Sequence, residues 1–484
     1  MQHVSAAQPH SLPDCPDTDA SLPPEYQALD SARGAACAFL AGLEGRAVGV
    51  RASAEALRGL LGGEMPEAPQ PAQDVIAALA ARMEPGLLGT GTGRFFGWVI
   101  GGAHPAAIAA DWLAAAWDQN AAAYATSPAA SVLEEVCGAW LKSLLNIPAH
   151  ASYAFVTGCQ MAHATAFAAA RHRLLADRGI DVEADGLFGA PPIRILTGET
   201  RHESVLRAAR LVGIGARSIE ILPVDEGSRL RMDALAEALA KNDRPAIVCL
   251  QAGEMNTGAY DPFAEACALA RDAGAWVHVD GAIGLWAAAS PRLRPLMAGA
   301  EHAQSWATDG HKWLNVTQDC GYVFVADAAA HRAAFAQSTS FAHAVESTRR
   351  QLEWGPEWSR RARALPTYAV LRSLGRSGLA ALLETCCDHA QALTQGLSEL
   401  PGVQVLAWPT INQALVRFLD PAGHHDARTE AVIDAIQRDG RAWFGVTTWR
   451  GQRAMRISVC DWRTDAVAVQ RAIEAVADAI KEVK

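Results

Sequence analysis

The sequence contains no run of lysine or arginine, and its 42 basic residues are outnumbered by 52 acidic ones. A net charge of −10 argues against nucleic acid or an anionic membrane as the main partner, since both call for a concentrated basic face. There is no CxxC pair either. The ten cysteines are scattered, with only Cys386 and Cys387 adjacent, so no metal and no disulfide framework is expected, only reduced, buried thiols. No apolar stretch runs unbroken for the length a bilayer requires, because Arg, Asp, Glu or Gln interrupt the Ala-rich segments. The opening MQHVSAAQPHSLPDCPDTDASLPPEY has neither the basic start nor the apolar centre of a secretory leader, which leads us to expect a cytoplasmic protein. What is present is a half-apolar composition over 484 residues, enough for roughly two or three domains around a large core, with a small molecule as the expected partner.

Residues 1–25, rich in Pro, Ser and Asp, are expected to form a tail that does not pack alone. Helical periodicity follows over 26 to about 63 and over 72–83, split by GGEMPEAPQP. We expect a helical dimerisation segment over 26–104, since its apolar faces lack a local core. From 105 to 360, helices alternate with short β-rich runs: SYAFV (152–156), IRIL (193–196), SIEIL (218–222), AIVCL (246–250), AWVHV (275–279) and YVFV (322–325). This alternation predicts an α/β large domain with a mainly parallel sheet and a ligand site at the strands' carboxyl ends. Ser131 followed by Glu134 predicts a capping box at a helix start. A long helix over about 364–398, then GVQVLAW, NQALVRFL, a helix at 426–438, AWFGVTTW, AMRISVC and a final helix predict a small C-terminal α+β domain over 361–484.

The most informative segment is TDGHKWLNVTQDCG (308–321), where Lys312 stands between His311 and Trp313. A lysine in isolation is ordinarily a solvated charge. About thirty residues upstream, however, a strand ends in HVDGA (278–282), which sets Asp280 at a carboxyl end. A lysine and a carboxylate so placed fit pyridoxal 5'-phosphate (PLP), which needs an amine to hold its aldehyde as a Schiff base and an anion to keep its pyridine nitrogen protonated. Its phosphate needs backbone N–H groups, as found where a strand runs into a helix. SYAFVTGCQMAHATAFAAARH offers that junction, with a turn at Thr157-Gly158-Cys159-Gln160 and a helix from near Met161, although ordinary connections look the same. In TGETRHESVLRAARLVG, His202 opens a helix, placed either to cap it or to stack on a flat ring.

In this order the segments resemble the group II PLP-dependent amino-acid decarboxylases, which include glutamate, aromatic-L-amino-acid, histidine and diaminobutyrate decarboxylases. The resemblance runs from about 90 to 375 and extends to RFFGW (94–98), SPAASVLE (127–134), GAYDPF (258–263) and SRRARALPTYAVLRSLGR (359–376). It implies the PLP-dependent transferase fold type I, an amino acid as substrate, and a homodimer with active sites at the subunit interface. It implies three catalytic residues: Lys312 as the Schiff-base lysine, Asp280 as the partner of the pyridine nitrogen, and His202 stacked on the cofactor. By the same resemblance Ala282 covers the opposite face, Cys159, Gln160 and His311 lie near the phosphate, and Thr257 lies below the ring. Phe95, Phe96 and Trp98 are candidates for the substrate wall, and Arg360 or Arg361 for orienting a carboxylate.

Three departures from the family pattern matter. Cys159-Gln160 replace the small residue and hydroxyl common in the phosphate turn, so anchoring is expected to depend on backbone N–H groups. Asp309 stands where several members carry Asn. A carboxylate close to phosphate is repulsive, so it is expected to point away or to bind a neighbouring N–H. Finally, the family's decarboxylases carry a loop tyrosine thought to protonate Cα, with Phe there associated with aldehyde formation, whereas SFAHAVESTRRQLEWGPEWSRRAR (340–363) has no tyrosine. Counting back from Arg360 and Arg361 puts Gln351 about where it falls. Glutamine is no acid near neutral pH, so His343 or His202 is expected to donate the proton and ordinary decarboxylation to the amine to follow. The alternatives are an aldehyde synthase, an aminotransferase or another carbon–carbon lyase on the same lysine and aspartate, and last a non-enzymatic oligomeric scaffold.

Overall fold

The computed structural model describes residues 22–337 and 348–483. Two compact units are distinguished, one of residues 22–46 and 50–88, the other of 47–49 and 89–483. The first holds helices α1 (Ala28–Ala41), α2 (Ala54–Leu61) and α3 (Ala72–Met83). The helix expected over 26–63 is therefore two. Gly42 and Gly45 weaken the helix where the first ends, and Ser53 starts a new one by accepting the Ala56 N–H at 3.1 Å. None of the three helices buries a residue, and Leu29, Leu60, Leu61, Val75 and Leu79 are exposed.

The second unit is built on a seven-stranded sheet in the order β1-β7-β6-β5-β4-β2-β3. Its strands are β1 (Ser152–Val156), β2 (Arg194–Gly198), β3 (Ile219–Leu222), β4 (Ala246–Gln251), β5 (Trp276–Asp280), β6 (Ser305–Asp309) and β7 (Gly321–Val325). β3, β2, β4, β5 and β6 pair in parallel, whereas β7 runs antiparallel to both β1 and β6. The expected α/β class and mainly parallel sheet are thus observed. β6 is the strand that composition hides: Ser-Trp-Ala-Thr-Asp carries a single β-branched residue, yet it is buried from end to end. A smaller antiparallel sheet, β10-β11-β9-β8, is formed by β8 (Val403–Ala407), β9 (Gln413–Phe418), β10 (Gly445–Trp449) and β11 (Gln452–Ser458).

Helices α4 (Pro105–Trp117), α5 (Pro128–Leu144) and α6 (Cys159–Ala176) belong to this unit. A long helix, Ala364–Ser398, packs on α4 and α5 and bends at Gly375, whose φ of 61° suits glycine. The capping box is not formed. α5 begins one turn earlier, with Pro128 at its first position, while the Ser131 hydroxyl bonds Gln351 and Glu134 turns inward to the buried Arg360 guanidinium. Among the described residues all nine cysteines are free, eight of them buried, and no helix is long and apolar enough to cross a membrane.

The sheet positions the site through one residue. Gly321, first in β7, pairs with Val156 at the end of β1 and with Asp309 at the end of β6. A Cβ there would come within 2.6 Å of the Gly158 backbone, so only glycine lets the turn after β1 and the connection after β6 leave the sheet side by side.

Candidate active site

At these carboxyl ends lies a cavity of about 500 Å³. It brings together seven of the residues singled out in the sequence: Cys159 and Gln160 at the start of α6, His202, Asp280 at the end of β5 with Ala282 beyond it, and His311 and Lys312 after β6. Asp309 lines it as well.

Asp309 organises one wall. Its Oδ2 lies 3.0 Å from Lys312 Nζ, and its Oδ1 accepts the Cys159 N–H at 2.6 Å. The second contact caps α6 with a distant carboxylate, which is why the helix starts at Cys159 rather than near Met161. Asp309 therefore binds a neighbouring N–H, as its charge required. Burial, the largest single influence, would lower the Lys312 pKa, but the charge and hydrogen bond of Asp309 together with Cys159 and Asp280 outweigh it and raise the net value, keeping an ammonium in place. Cys159 is pushed well above the usual thiol range by burial and by the Asp280 and Asp309 carboxylates, so it stays a thiol.

Asp280 organises the opposite wall. Burial would raise its carboxyl, yet His163 beside it, then His202 and the Ala282 N–H at 3.2 Å, hold it well below the ordinary range. It is an anion fixed before anything binds. His202 sits at the start of the helix Glu203–Leu211, where its Nδ1 accepts the Ser204 N–H at 3.1 Å, so the proton of the neutral ring is on Nε2. Burial lowers its pKa, with Asp280 acting in the other direction.

Other expected residues lie elsewhere. Thr257 is not part of the lining; its N–H and hydroxyl both bind Glu254 Oε2, at 2.7 and 2.9 Å, which locks the turn carrying Met255 into the cavity wall. Phe96 is fully buried and stacks on Phe444 at 5.1 Å, Phe95 stacks on Trp443 at 4.7 Å, and Trp98 is half-exposed against Trp443; none lines the cavity. Arg360 is held by Glu134, and Arg361 pairs with Asp111 near the surface at 2.7 Å, so neither reaches the cavity to orient a carboxylate. Gln351 is buried with its amide on Ser131, not presented to the cavity. His343 lies outside the described residues.

The sequence reading missed His163 and His278. Both had a periodic signal: His163 follows Cys159 by one helical turn, and His278 precedes Asp280 by two strand positions, each on the same face as its neighbour. Cys159 Sγ, His163 and Asp280 lie within 4.8 Å of one another and contact each other directly.

The donor set fits PLP. The cavity holds an amine on Lys312, an ionised carboxylate on Asp280 and the start of α6, where Gln160 and Met161 have no carbonyl ahead of them to bond. A Cβ on Gly158 would lie 3.2 Å from the His311 ring and 3.3 Å from Asp309, so the turn is kept clear by a missing side chain.

Comparison with known proteins agrees. The pyridoxal-dependent decarboxylase conserved domain matches residues 55–419. L-2,4-diaminobutyrate decarboxylase of Rhizobium meliloti (strain 1021) is 27% identical over 461 residues, spanning 89% of this chain and 87% of its own. Phenylacetaldehyde synthase of Arabidopsis thaliana is 24% identical over 419 residues, spanning 83% and 85%. The crystal structure of Oryza sativa TDC with PLP and tryptamine superposes with a TM-score of 0.88 at 21% identity, covering 94% of this chain and 97% of that one, which shows the same fold.

Proposed function

The chain belongs to the pyridoxal-dependent decarboxylase family, and from that premise we propose that it removes the carboxylate of an L-amino acid as CO2 and releases the amine, with Lys312 as the lysine that holds the cofactor. The observation that carries this reading is the meeting of Lys312, Asp280 and His202 in one cavity at the strand ends. PLP, when bound, supplies an aldehyde for the amino group and a protonated ring that draws electrons from the breaking bond.

The chain's own residues do the rest. Asp280, already ionised, receives the ring N–H and keeps that proton in place. The backbone N–H groups of Gln160 and Met161 would hold the phosphate, while Asp309 retains that of Cys159. His202 and Ala282 would hold the ring between them, His311 would help hold the phosphate, and Thr257 would act through the turn that carries Met255. Lys312 must lose a proton before it acts as a nucleophile, and Asp309 Oδ2 is the acceptor in contact. The proton returned to Cα comes from His202 Nε2–H or from His343. The exposed apolar residues of α1–α3, with Trp112, Leu113 and Trp117 on α4, support a homodimer, to be checked by sedimentation at micromolar concentration.

A second reading has its own support. The segment 340–363 lacks a tyrosine, Gln351 is turned inward, and burial lowers the pKa of His202, so little of its ring carries the extra proton near neutral pH. Where no proton is delivered promptly, O2 would react in its place, and the overall conversion would take the amino acid, O2 and water to aldehyde, CO2, ammonia and hydrogen peroxide. Incubating PLP-loaded protein with an amino-acid panel decides between them. Equimolar CO2 and amine without oxygen uptake supports decarboxylation; oxygen consumed in proportion to CO2, with aldehyde, supports the second reading; keto acid without CO2 overturns both.

A further inference from the structure

Trp276, His278 and Asp280 alternate along β5 and so share one face of the sheet. Ser305 of β6 pairs with His278 across the ladder, and His163 of α6 lies over the same face. The side chains form a continuous series: Trp276 Nε1 to Ser305 Oγ at 2.8 Å, Ser305 Oγ to His278 Nδ1 at 2.9 Å, His278 Nε2 to His163 Nδ1 at 2.8 Å, and His163 Nε2 to Asp280 Oδ2 at 3.5 Å. His163, His278 and Ser305 are wholly inaccessible to solvent, so water cannot complete an unmet bond.

We propose that this series has one fixed direction, running from Trp276 to Asp280, and that it delivers an N–H to the Asp280 carboxylate from residues that do not line the cavity. The inference rests on the reading that Asp280 receives the cofactor's ring N–H. The direction follows from donor and acceptor counting. An indole nitrogen only donates, so Ser305 Oγ accepts from Trp276. The Ser305 hydrogen then has His278 Nδ1 as its partner among the described residues. With Nδ1 accepting, the His278 proton is on Nε2 and is donated to His163 Nδ1. The His163 proton is therefore on Nε2, facing Asp280 Oδ2 and Cys159 Sγ, each at 3.5 Å. Reversal leaves the Ser305 hydroxyl without an acceptor. Unless His163 gained a second proton, it would also set a bare nitrogen lone pair against the carboxylate, which is repulsive. His278 is held well below the ordinary imidazole range by burial and by His163, in keeping with a neutral ring.

Ser305 and Trp276 thus become positioning residues for a ring nitrogen they never touch. Labelling the PLP-loaded protein with 15N-histidine and recording long-range 1H–15N correlations reads which ring nitrogen carries the proton. The expected result is the Nε2–H form for both His163 and His278. An Nδ1–H form or an imidazolium at His163 overturns the proposal, and this measurement needs no variant. With [15N]PLP as a second probe, His163→Met should move the pyridine signal toward the unprotonated form and weaken PLP binding about tenfold, the equivalent of one pKa unit at the ring. His163→Gln, which keeps an N–H near Asp280, should retain most of both, and Ser305→Ala should shift the signal in the same direction as His163→Met. Pyridine signals unmoved in His163→Met and Ser305→Ala overturn the proposal. If the fault lay instead in the assigned role of Asp280, Asp280→Asn would also leave the pyridine signal unmoved.

Discussion

Replacing Arg360 with methionine should cost several kcal/mol of stability and leave the substrate affinity of the folded enzyme unchanged. Arg360 Nη1 lies 2.8 and 3.1 Å from the two Glu134 oxygens and 3.1 Å from the Ala121 carbonyl, and Nη2 donates to the Phe155 carbonyl at 2.8 Å. With Arg360 7% and Glu134 1% exposed, both charges are out of water. Arg360→Met strands the Glu134 carboxylate, and breaking one side of a buried pair costs about 3–5 kcal/mol. Adding Glu134→Leu removes the stranded charge, so the double variant should recover at least about 2 kcal/mol of that loss. Urea titrations of the four proteins at fixed PLP, closed as a double-mutant cycle, give both numbers. The reasoning is refuted if Arg360→Met unfolds within about 1 kcal/mol of the parent while KM rises by about tenfold. That outcome would return Arg360 to the role its position beside Arg361 first suggested, a carboxylate anchor.

Four further outcomes are expected. Lys312→Ala should lose the covalent cofactor linkage and nearly all turnover, and since the chain has only five lysines, borohydride reduction followed by peptide mapping shows at once whether another has taken the cofactor. Asp309→Asn removes the charge that raises the Lys312 pKa, so the pH midpoint for cofactor linkage should move down; an unchanged midpoint rejects the pairing. Gln351→Tyr should destabilise by about 1–3 kcal/mol through overpacking against Ser131 and leave the ratio of amine to aldehyde unaltered, so a changed ratio would put residue 351 in the reaction. Burial, then Arg349, pushes the His331 imidazole from 6.5 down to about 3, so the unfolded chain takes the proton first and stability falls with pH through that window. Between about pH 7 and pH 5 the loss should be about 2 kcal/mol, and His331→Gln should flatten it in urea titrations; equal slopes for the two proteins would exclude His331 as the cause.

What the sequence made legible was local. Lys312, Asp280 and the Thr157–Gln160 turn each adjoin a strand end, and six of the seven large-sheet strands carry enough β-branched or aromatic residues to be seen. What it hid depends on distant partners. The spacing of Ser131 and Glu134 satisfies a capping box, but a guanidinium 226 residues away requires the glutamate more than the helix end does. Gln351 falls where a count back from the arginines puts a catalytic residue, yet its amide is held by Ser131. Asp309 could be recognised as out of place, though not as the cap of a helix 150 residues earlier. His163 and His278, 115 residues apart, show periodic positions in sequence but not their contact.

The junction at Gly321 makes assembly of this site all-or-none. Val156, Gly321 and Asp309 stand in one row across β1, β7 and β6, with the Thr157–Gln160 segment leaving from one end and the Lys312 segment from the other. A slip of one residue in either pairing would turn alternate side chains to the opposite face and part Asp309 from Cys159, the contact that ties the start of α6 to the Lys312 segment. Misregistered chains would then be inert rather than partly active, and a preparation's specific activity would count correctly zipped sheets.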